Sequence, residues 1–173
     1  YTDKIKAGVI EDKKNASKVA KLLRFVSNKS MEMYPDTLEK IKNVSYSHGY
    51  DKVVKRMRTL DDYVENKLEE QEYIYYIGCR DVEEGMNSPL AEYALKHGFE
   101  VFYLYEPYDT FVLKSLEEYK GLKFADLMAP RIKFPGAIKT DEELEREVED
   151  VDNDEVFKQT IKRIRSVLSA RLN

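Results

Sequence analysis

Apolar residues change their spacing near residue 72, and the change divides the chain into a helical part and an α/β part. Before it they recur every three or four residues. Val19, Leu22, Leu23 and Val26 predict a helix over 13–27, with Lys13, Lys14, Lys18 and Lys21 elsewhere on its surface, Asp12 as N-cap and Ser27-Asn28-Lys29-Ser30 at its end. Pro35-Asp36-Thr37 opens a short helix through Leu38 and Ile41, Tyr46-Ser47-His48-Gly49-Tyr50 reads as a loop, and Asp51 to Met57 return to helix. Thr59 caps a helix over 60–70 that gathers Leu60, Tyr63, Val64 and Leu68 on one face. Then Tyr73-Ile74-Tyr75-Tyr76-Ile77, bounded by Gly78, reads as a buried strand.

From there the pattern repeats. A helix over 89–97 starts at Pro89 with Ser88 as cap and stops at Gly98. Val101-Phe102-Tyr103-Leu104-Tyr105 is the second strand. A helix over 107–119 opens at Pro107 and turns Phe111, Val112, Leu116 and Tyr119 inward. Leu122-Lys123-Phe124-Ala125-Asp126-Leu127 is the third strand. Short connections of this kind cross right-handed and give a parallel sheet covered by helices. The fold class expected is α/β: a helical connector, then a small αβα unit with a three-stranded, mainly parallel, Rossmann-like sheet, then a closing helix. The expected division is a connector over 1–60, the αβα unit over 61–137, an acidic linker over 138–155 and a helix over 156–173. Ten of the fifteen residues from Asp141 to Glu155 are acidic, which favours an extended linker or a frayed helix. The last helix carries Phe157, Ile161, Ile164, Leu168 and Leu172 as one stripe.

Charge sharpens this division. Residues 1–60 carry 14 Lys/Arg against 7 Asp/Glu, and residues 61–173 carry 15 against 26. The basic half lacks the aromatic interleaving of a nucleic-acid groove, so a solvated helical face is expected, with a scaffold role on an acidic partner as a lesser alternative. At 173 residues with 42% hydrophobic and 36% charged positions, the chain is a globular domain long enough to bury a core. No apolar run reaches the roughly 20 residues of a membrane span. A first residue of Tyr rather than Met reads as a piece of a longer chain.

Candidate chemistry is sparse. The single Cys79 excludes an internal disulfide framework and reads as a buried structural thiol. His48 and His97 are too few for a zinc centre. The turn Gly78-Cys79-Arg80-Asp81-Val82-Glu83-Glu84-Gly85 lacks both the G-x-G-x-x-G spacing and the ending of a phosphate loop, and its acidic residues repel phosphate. Glu106 and Asp109 flank Pro107 at a strand's carboxyl end, where α/β sheets bind ligands. Neither has an adjacent His or Lys, so a capping and dipole role is favoured over acid–base work. Tyr73, Tyr75, Tyr76, Tyr103 and Tyr105 are expected to pack the sheet. No catalytic, cofactor-binding or metal residue is assigned. Asn15-Ala16-Ser17, Asn28-Lys29-Ser30 and Asn43-Val44-Ser45 are glycosylation sequons, a weak sign of a secretory location.

Several blocks occur in a telling order: Gly8-Val9-Ile10-Glu11-Asp12, Ala20-Lys21-Leu22-Leu23-Arg24-Phe25, Thr59-Leu60-Asp61-Asp62-Tyr63-Val64, Tyr73 to Ile77, Asn87-Ser88-Pro89, His97-Gly98-Phe99-Glu100-Val101, Glu106-Pro107-Tyr108-Asp109 and Leu116-Glu117-Glu118-Tyr119-Lys120-Gly121. Together they resemble the carboxy-terminal part of the middle domain of the heat-shock protein 90 chaperones. Within that family, Gly8 to Asp12, Ala20 to Phe25 and Ile132-Lys133-Phe134 look most like the endoplasmic-reticulum member, endoplasmin. Residues 31–57 are much longer than the corresponding family loop. Glu65-Asn66-Lys67-Leu68 and Ala129-Pro130-Arg131 also depart from it.

The resemblance implies a structural coupling and client-binding module of an ATP-dependent chaperone, without a catalytic site of its own. The parent's ATP and Mg²⁺ site and its catalytic arginine would lie upstream. Clients and co-chaperones would be the partners, with no nucleic acid and no membrane. A homodimer would form through a carboxy-terminal domain beyond the last helix. The implied compartment is the endoplasmic-reticulum lumen, with the cytoplasm or another organelle as alternatives. The competing reading is an independent small-molecule-binding α/β domain that uses the strand ends near Gly78, Glu106 and Asp109.

Overall fold

The structure, a computed structural model, describes residues 2–43, 53–130 and 132–136. The expected loop over 46–50, the acidic linker and the closing helix lie outside the described residues. Strand β3, Tyr73–Gly78, is the centre of the sheet. It pairs in parallel with β4, Val101–Leu104, on one side and with β6, Leu122–Asp126, on the other. These are the three strands read from the sequence. Continuous apolar runs betray β3 and β4 because these are buried on both faces, whereas β6 is half-buried with Lys123 exposed.

The sheet extends beyond them. Arg24–Ser27 forms β1, antiparallel to β4, and Arg58–Thr59 forms β2 beside it. Glu118–Tyr119 forms β5, antiparallel to β6. The six strands run in the order β2-β1-β4-β3-β6-β5. Both edges are two-residue strands, which leaves little unpaired backbone for another chain to join.

Side-chain alternation sorts two cores. Ile74, Tyr76, Phe102, Leu104 and Phe25 point to one face. That face is covered by α1 (Thr2–Glu11), α2 (Ala16–Ala20), α5 (Leu60–Glu65) and α8 (Asp109–Leu116). Tyr75, Ile77, Val101, Tyr103 and Val26 point to the other. There the cover is α6 (Val82–Met86), α7 (Pro89–Lys96) and residues from the 31–57 segment. Met31, Leu38, Ile41, Val53, Val54 and Met57 all pack on this second core, so the described parts of the long segment cover that face of the sheet. Among its described residues are the end of α3 (Asn28–Met33) and α4 (Thr37–Asn43). Lys42 of α4 meets Glu83 of α6 at 2.5 Å. Residues Tyr1–Ala137 form one compact unit.

Several expected elements differ. The helix over 13–27 is instead the short α2 followed by β1. Asp12 does not cap it: Asp12 accepts from the backbone and side chain of Asn15, and Asn15 holds the N-cap position. Leu22, expected inward, is exposed, because the chain is already turning into β1. Ser27 does not end a helix but caps α3, in a reciprocal pair with Ser30. The segment expected as a helical connector therefore contributes two strands to the sheet.

Other differences are smaller. Thr59 caps α5 as expected, in a capping box with Asp62, but the helix stops at Glu65. The helix over 107–119 is shorter, ending at Leu116. Tyr119 belongs to a hairpin whose turn residues Lys120 and Gly121 have φ of 47° and 82°. Phe111 points outward, and Leu113 takes the inward place beside Val112.

Candidate functional site

The carboxyl ends of β3 and β4 are where the crossovers part. The chain leaving β3 goes to α6 and α7 on one face, and the chain leaving β4 goes to α8 on the other. Such a divergence opens a crevice that many α/β sheets use for ligands. Gly78, Glu106 and Asp109 stand there as the sequence predicted.

Sequence reasoning missed the group that meets them. Lys6, on α1, is 2% exposed. Its Nζ pairs with the Glu106 carboxylate and lies 2.5 Å from Asp109 Oδ1. Asp109 Oδ2 also accepts the Glu106 backbone N–H at 3.2 Å. The pair thus has the cationic neighbour that the local sequence withholds, one hundred residues away. No signal in the local sequence points to it except the position of Lys6 on the face of α1 that also carries Val9.

Burial shapes the electrostatics. It pulls the Lys6 ammonium down, but Asp109 and Glu106 outweigh that and hold its pKa above the ordinary value. Burial pushes the Asp109 carboxyl up to about 6, against the opposing pull of Lys6. The result is a cation shared by two carboxylates at the junction of α1, β4 and α8.

The rest of the crevice is packed. Gly85 of α6 lies so close to Tyr103 and Cys79 that a Cβ there would sit 2.9 Å from the Tyr103 ring and 3.0 Å from Cys79 Sγ. Asp81 caps α6 by accepting the Glu84 backbone N–H. Burial, followed by the Glu84 and Asp81 charges, pushes the Cys79 thiol up to about 11, which leaves it a poor nucleophile at neutral pH. No group of three His, Cys, Asp or Glu side chains suited to a metal occurs among the described residues.

The tyrosines do pack the sheet, and one does more. Tyr63 of α5 donates to the Glu100 carbonyl at 2.7 Å and accepts from the Tyr75 N–H and the Gln71 amide. It ties the start of β3 to the start of β4. Glu100 itself is buried and accepts from Ser27 Oγ and Arg58 Nε, joining β1, β2 and β4. His97 is also buried, with its ring stacked 4.8 Å from Phe134.

On the outer side of α1 lies a groove of about 460 Å³ lined by Lys4, Ala7, Ile10, Glu11 and Tyr108. Tyr108 is 55% exposed, and Phe111, one turn along α8, is 66% exposed. No helix among the described residues is long and apolar enough to cross a membrane.

Comparison with known proteins places these features. A model of the Hsp90 protein family matches residues 41–173. The chain is 35% identical over 123 residues to the mitochondrial heat shock protein 90-6 of Arabidopsis thaliana, covering 71% of this chain and 12% of that protein. It is 32% identical over 123 residues to the chloroplastic heat shock protein 90-5 of the same plant, covering 71% and 13%. The chain therefore spans a small part of these relatives. Its structure is similar to the middle domain of a Plasmodium falciparum heat shock protein, with 30% identity and a TM-score of 0.54 over 72% of this chain and 43% of that one. Family model, relatives and fold agree: the chain belongs to the Hsp90 protein family, in the region of its middle domain.

Proposed function

We propose that this chain is the part of a dimeric, ATP-dependent chaperone that transmits nucleotide-driven closure from an upstream domain to a downstream dimer contact, and that presents a surface to client proteins and co-chaperones. The observation that carries the reading is the mutual commitment of Lys6, Glu106 and Asp109. They pair with one another at the strand ends, the place where α/β sheets bind ligands. A sheet covered on both faces passes displacement on with little give. On this reading ATP and Mg²⁺ belong to the parent's upstream domain.

The test uses this chain alone. It is expected to slow the aggregation of reduced insulin and to hydrolyse no ATP above buffer. Tight binding of a small molecule, with no effect on aggregation, would overturn the reading in favour of an independent ligand-binding domain.

For the compartment, the endoplasmin-like blocks and the sequons support the endoplasmic-reticulum lumen. The organelle names of the Arabidopsis relatives support a mitochondrion or plastid instead. The sequons differ in quality. The Asn15 side chain is exposed, with its amide donating to Asp12 at 2.8 Å, whereas Asn28 is partly buried and engaged on both sides, donating to Glu32 and accepting the Val101 N–H. Glycan mass on Asn15 in the endogenous protein supports the lumen; a cleaved organellar leader and unmodified Asn15 decide for the organelle.

A further inference from the structure

We infer that the groove between α1 and the start of α8 docks an amphipathic protein helix that sets an apolar side chain between a carboxylate and a cation two turns apart. The inference rests on the client- and partner-binding reading and names its site.

The floor is apolar: Ala7 and Ile10 on α1 and the ring of Tyr108. Its volume of about 460 Å³ falls in the range of sites that hold organic groups, about 300–1,000 Å³. Phe111 extends the apolar surface by one turn of α8. Single exposed apolar residues are ordinary, but two aromatics beside a groove make a patch of the kind that marks an interaction site.

The charges define the occupant. Lys4 and Glu11 stand at opposite ends of the groove, about 10 Å apart along the helix. Neither side chain has an ion-pair partner among the described residues. An anion in the last turn of α1 opposes the helix dipole, so the stability of α1 does not explain Glu11. A docked helix running parallel to α1 would set its carboxylate against Lys4 and its cation against Glu11. That order, acid first and base seven residues later, also suits the partner's own dipole.

Two further features fit close approach. Gly8 sits inside α1, where glycine weakens a helix, yet a side chain there would meet nothing within 4 Å. Internal packing does not require it, and it leaves bare backbone between Lys4 and Glu11. Asp109, next to Tyr108, is clamped to α1 through Lys6, so the wall and floor of the groove are held in register before anything binds.

The test measures fluorescence anisotropy of labelled helical peptides with the full chain. One 18-residue peptide carries Glu and Lys at positions i and i+7 with Leu at i+3 and i+4. A second has the Glu and Lys exchanged. The first is expected to bind at least tenfold more tightly. Exchanging the charges on the protein, with Lys4→Glu and Glu11→Lys together, is expected to reverse the preference. Tyr108→Ala is expected to weaken the first peptide at least tenfold while the circular dichroism spectrum stays unchanged.

Equal affinity for the two peptides, or no effect of Tyr108→Ala, overturns the inference. So does sedimentation showing a dimer of this chain that Tyr108→Ala dissolves, because a second copy would then be the occupant. If wild type and Tyr108→Ala protect insulin equally, the groove is wrong and the chaperone reading stands. If the charge order is obeyed but insulin is unprotected, the groove stands and the client-holding reading falls.

Discussion

Lys6 decides how α1 meets the sheet. With its ammonium removed, the buried Asp109 would lose its cation beside the Glu106 carboxylate. Breaking such a pair from one side costs about 3–5 kcal/mol. Lys6→Met is therefore expected to lower Tm by about 10 °C or more at pH 7.5, at roughly 2–4 °C per kcal/mol for a chain of this size. Adding Glu106→Gln and Asp109→Asn to Lys6→Met should recover part of the loss. No recovery would mean that the charge balance is irrelevant and that Lys6 acts by packing its stem. The proton linkage has a definite sign. Asp109 has a folded pKa of about 6, above the ordinary 3.8, so the folded state holds its proton more tightly. Its stabilising contribution is full below about pH 4 and is lost as pH rises through about 6. Lys6, also raised, stabilises throughout this range and loses its contribution only above its ordinary 10.5. Asp109→Asn should thus gain on wild type between pH 4 and 6, by on the order of 2–3 kcal/mol, and run parallel to it above pH 7. Urea unfolding across that series reads it directly; a difference that ignores pH would remove Asp109 as the titrating group.

At the scale of elements, the strands read most directly were the two buried on both faces. Tyr73 to Ile77 and Val101 to Leu104 are apolar without interruption, and no helical period fits them. Helix α7 was legible for a different reason: Pro89 opens it, and Gly98, at φ 90°, closes it. β1 was not legible because a short apolar run fits either period. Phe25 and Val26 suit a helix stripe as well as opposite faces of a strand, and only pairing with β4 chooses between them. The candidate site divides the same way. Glu106 and Asp109 could be found from their place at a strand end, whereas Lys6 reaches them only through the docking of α1. β1 and β2 hold to β4 partly through Arg58, whose Nε meets Glu100 Oε1 at 3.2 Å and whose guanidinium also donates to the Asp62 carbonyl. Arg58→Met strips the buried Glu100 of its cation and is expected to cost about 3 kcal/mol. Hydrogen exchange should show the β1 and β2 amides losing protection before those of β3. Uniform loss across all strands would show instead that the six strands unfold as one.

Over the whole described unit, the last stretch of chain closes what the sheet begins. Residues 132–136 run back over α7 and the start of β3. Tyr75 donates its hydroxyl to the Lys133 carbonyl at 2.7 Å, and Phe134 stacks between His97 and Phe99. Gly136 then passes against the Glu70–Gln71 backbone at φ 77°, where a Cβ would lie 2.7 Å from the Glu70 carbonyl carbon and 2.8 Å from the Gln71 nitrogen. Backbone cannot move aside as a side-chain tip can, and the positive φ adds its own strain for any residue but glycine. Gly136→Ala must therefore lift this strap or displace the 70–71 turn. Gln71, whose amide bonds both the Tyr63 hydroxyl and the Tyr73 carbonyl, would carry the disturbance to the point where α5 fastens β3. The substitution is expected to destabilise by about 1–3 kcal/mol. It should also weaken the tyrosine signal in near-ultraviolet circular dichroism, which reports the packing of Tyr75 and Tyr93 around Phe134. Phe134→Leu is the companion variant, since it loosens the aromatic stack while leaving the backbone approach at Gly136 untouched. If Gly136→Ala costs no more than Phe134→Leu and leaves hydrogen exchange at 70–75 unchanged, the strap is held by its aromatic ring alone. If Gly136→Ala exposes the amides of 70–75 and Phe134→Leu does not, the glycine contact is what joins the end of the unit to its central strand, and a pull on the chain beyond it reaches β3 directly.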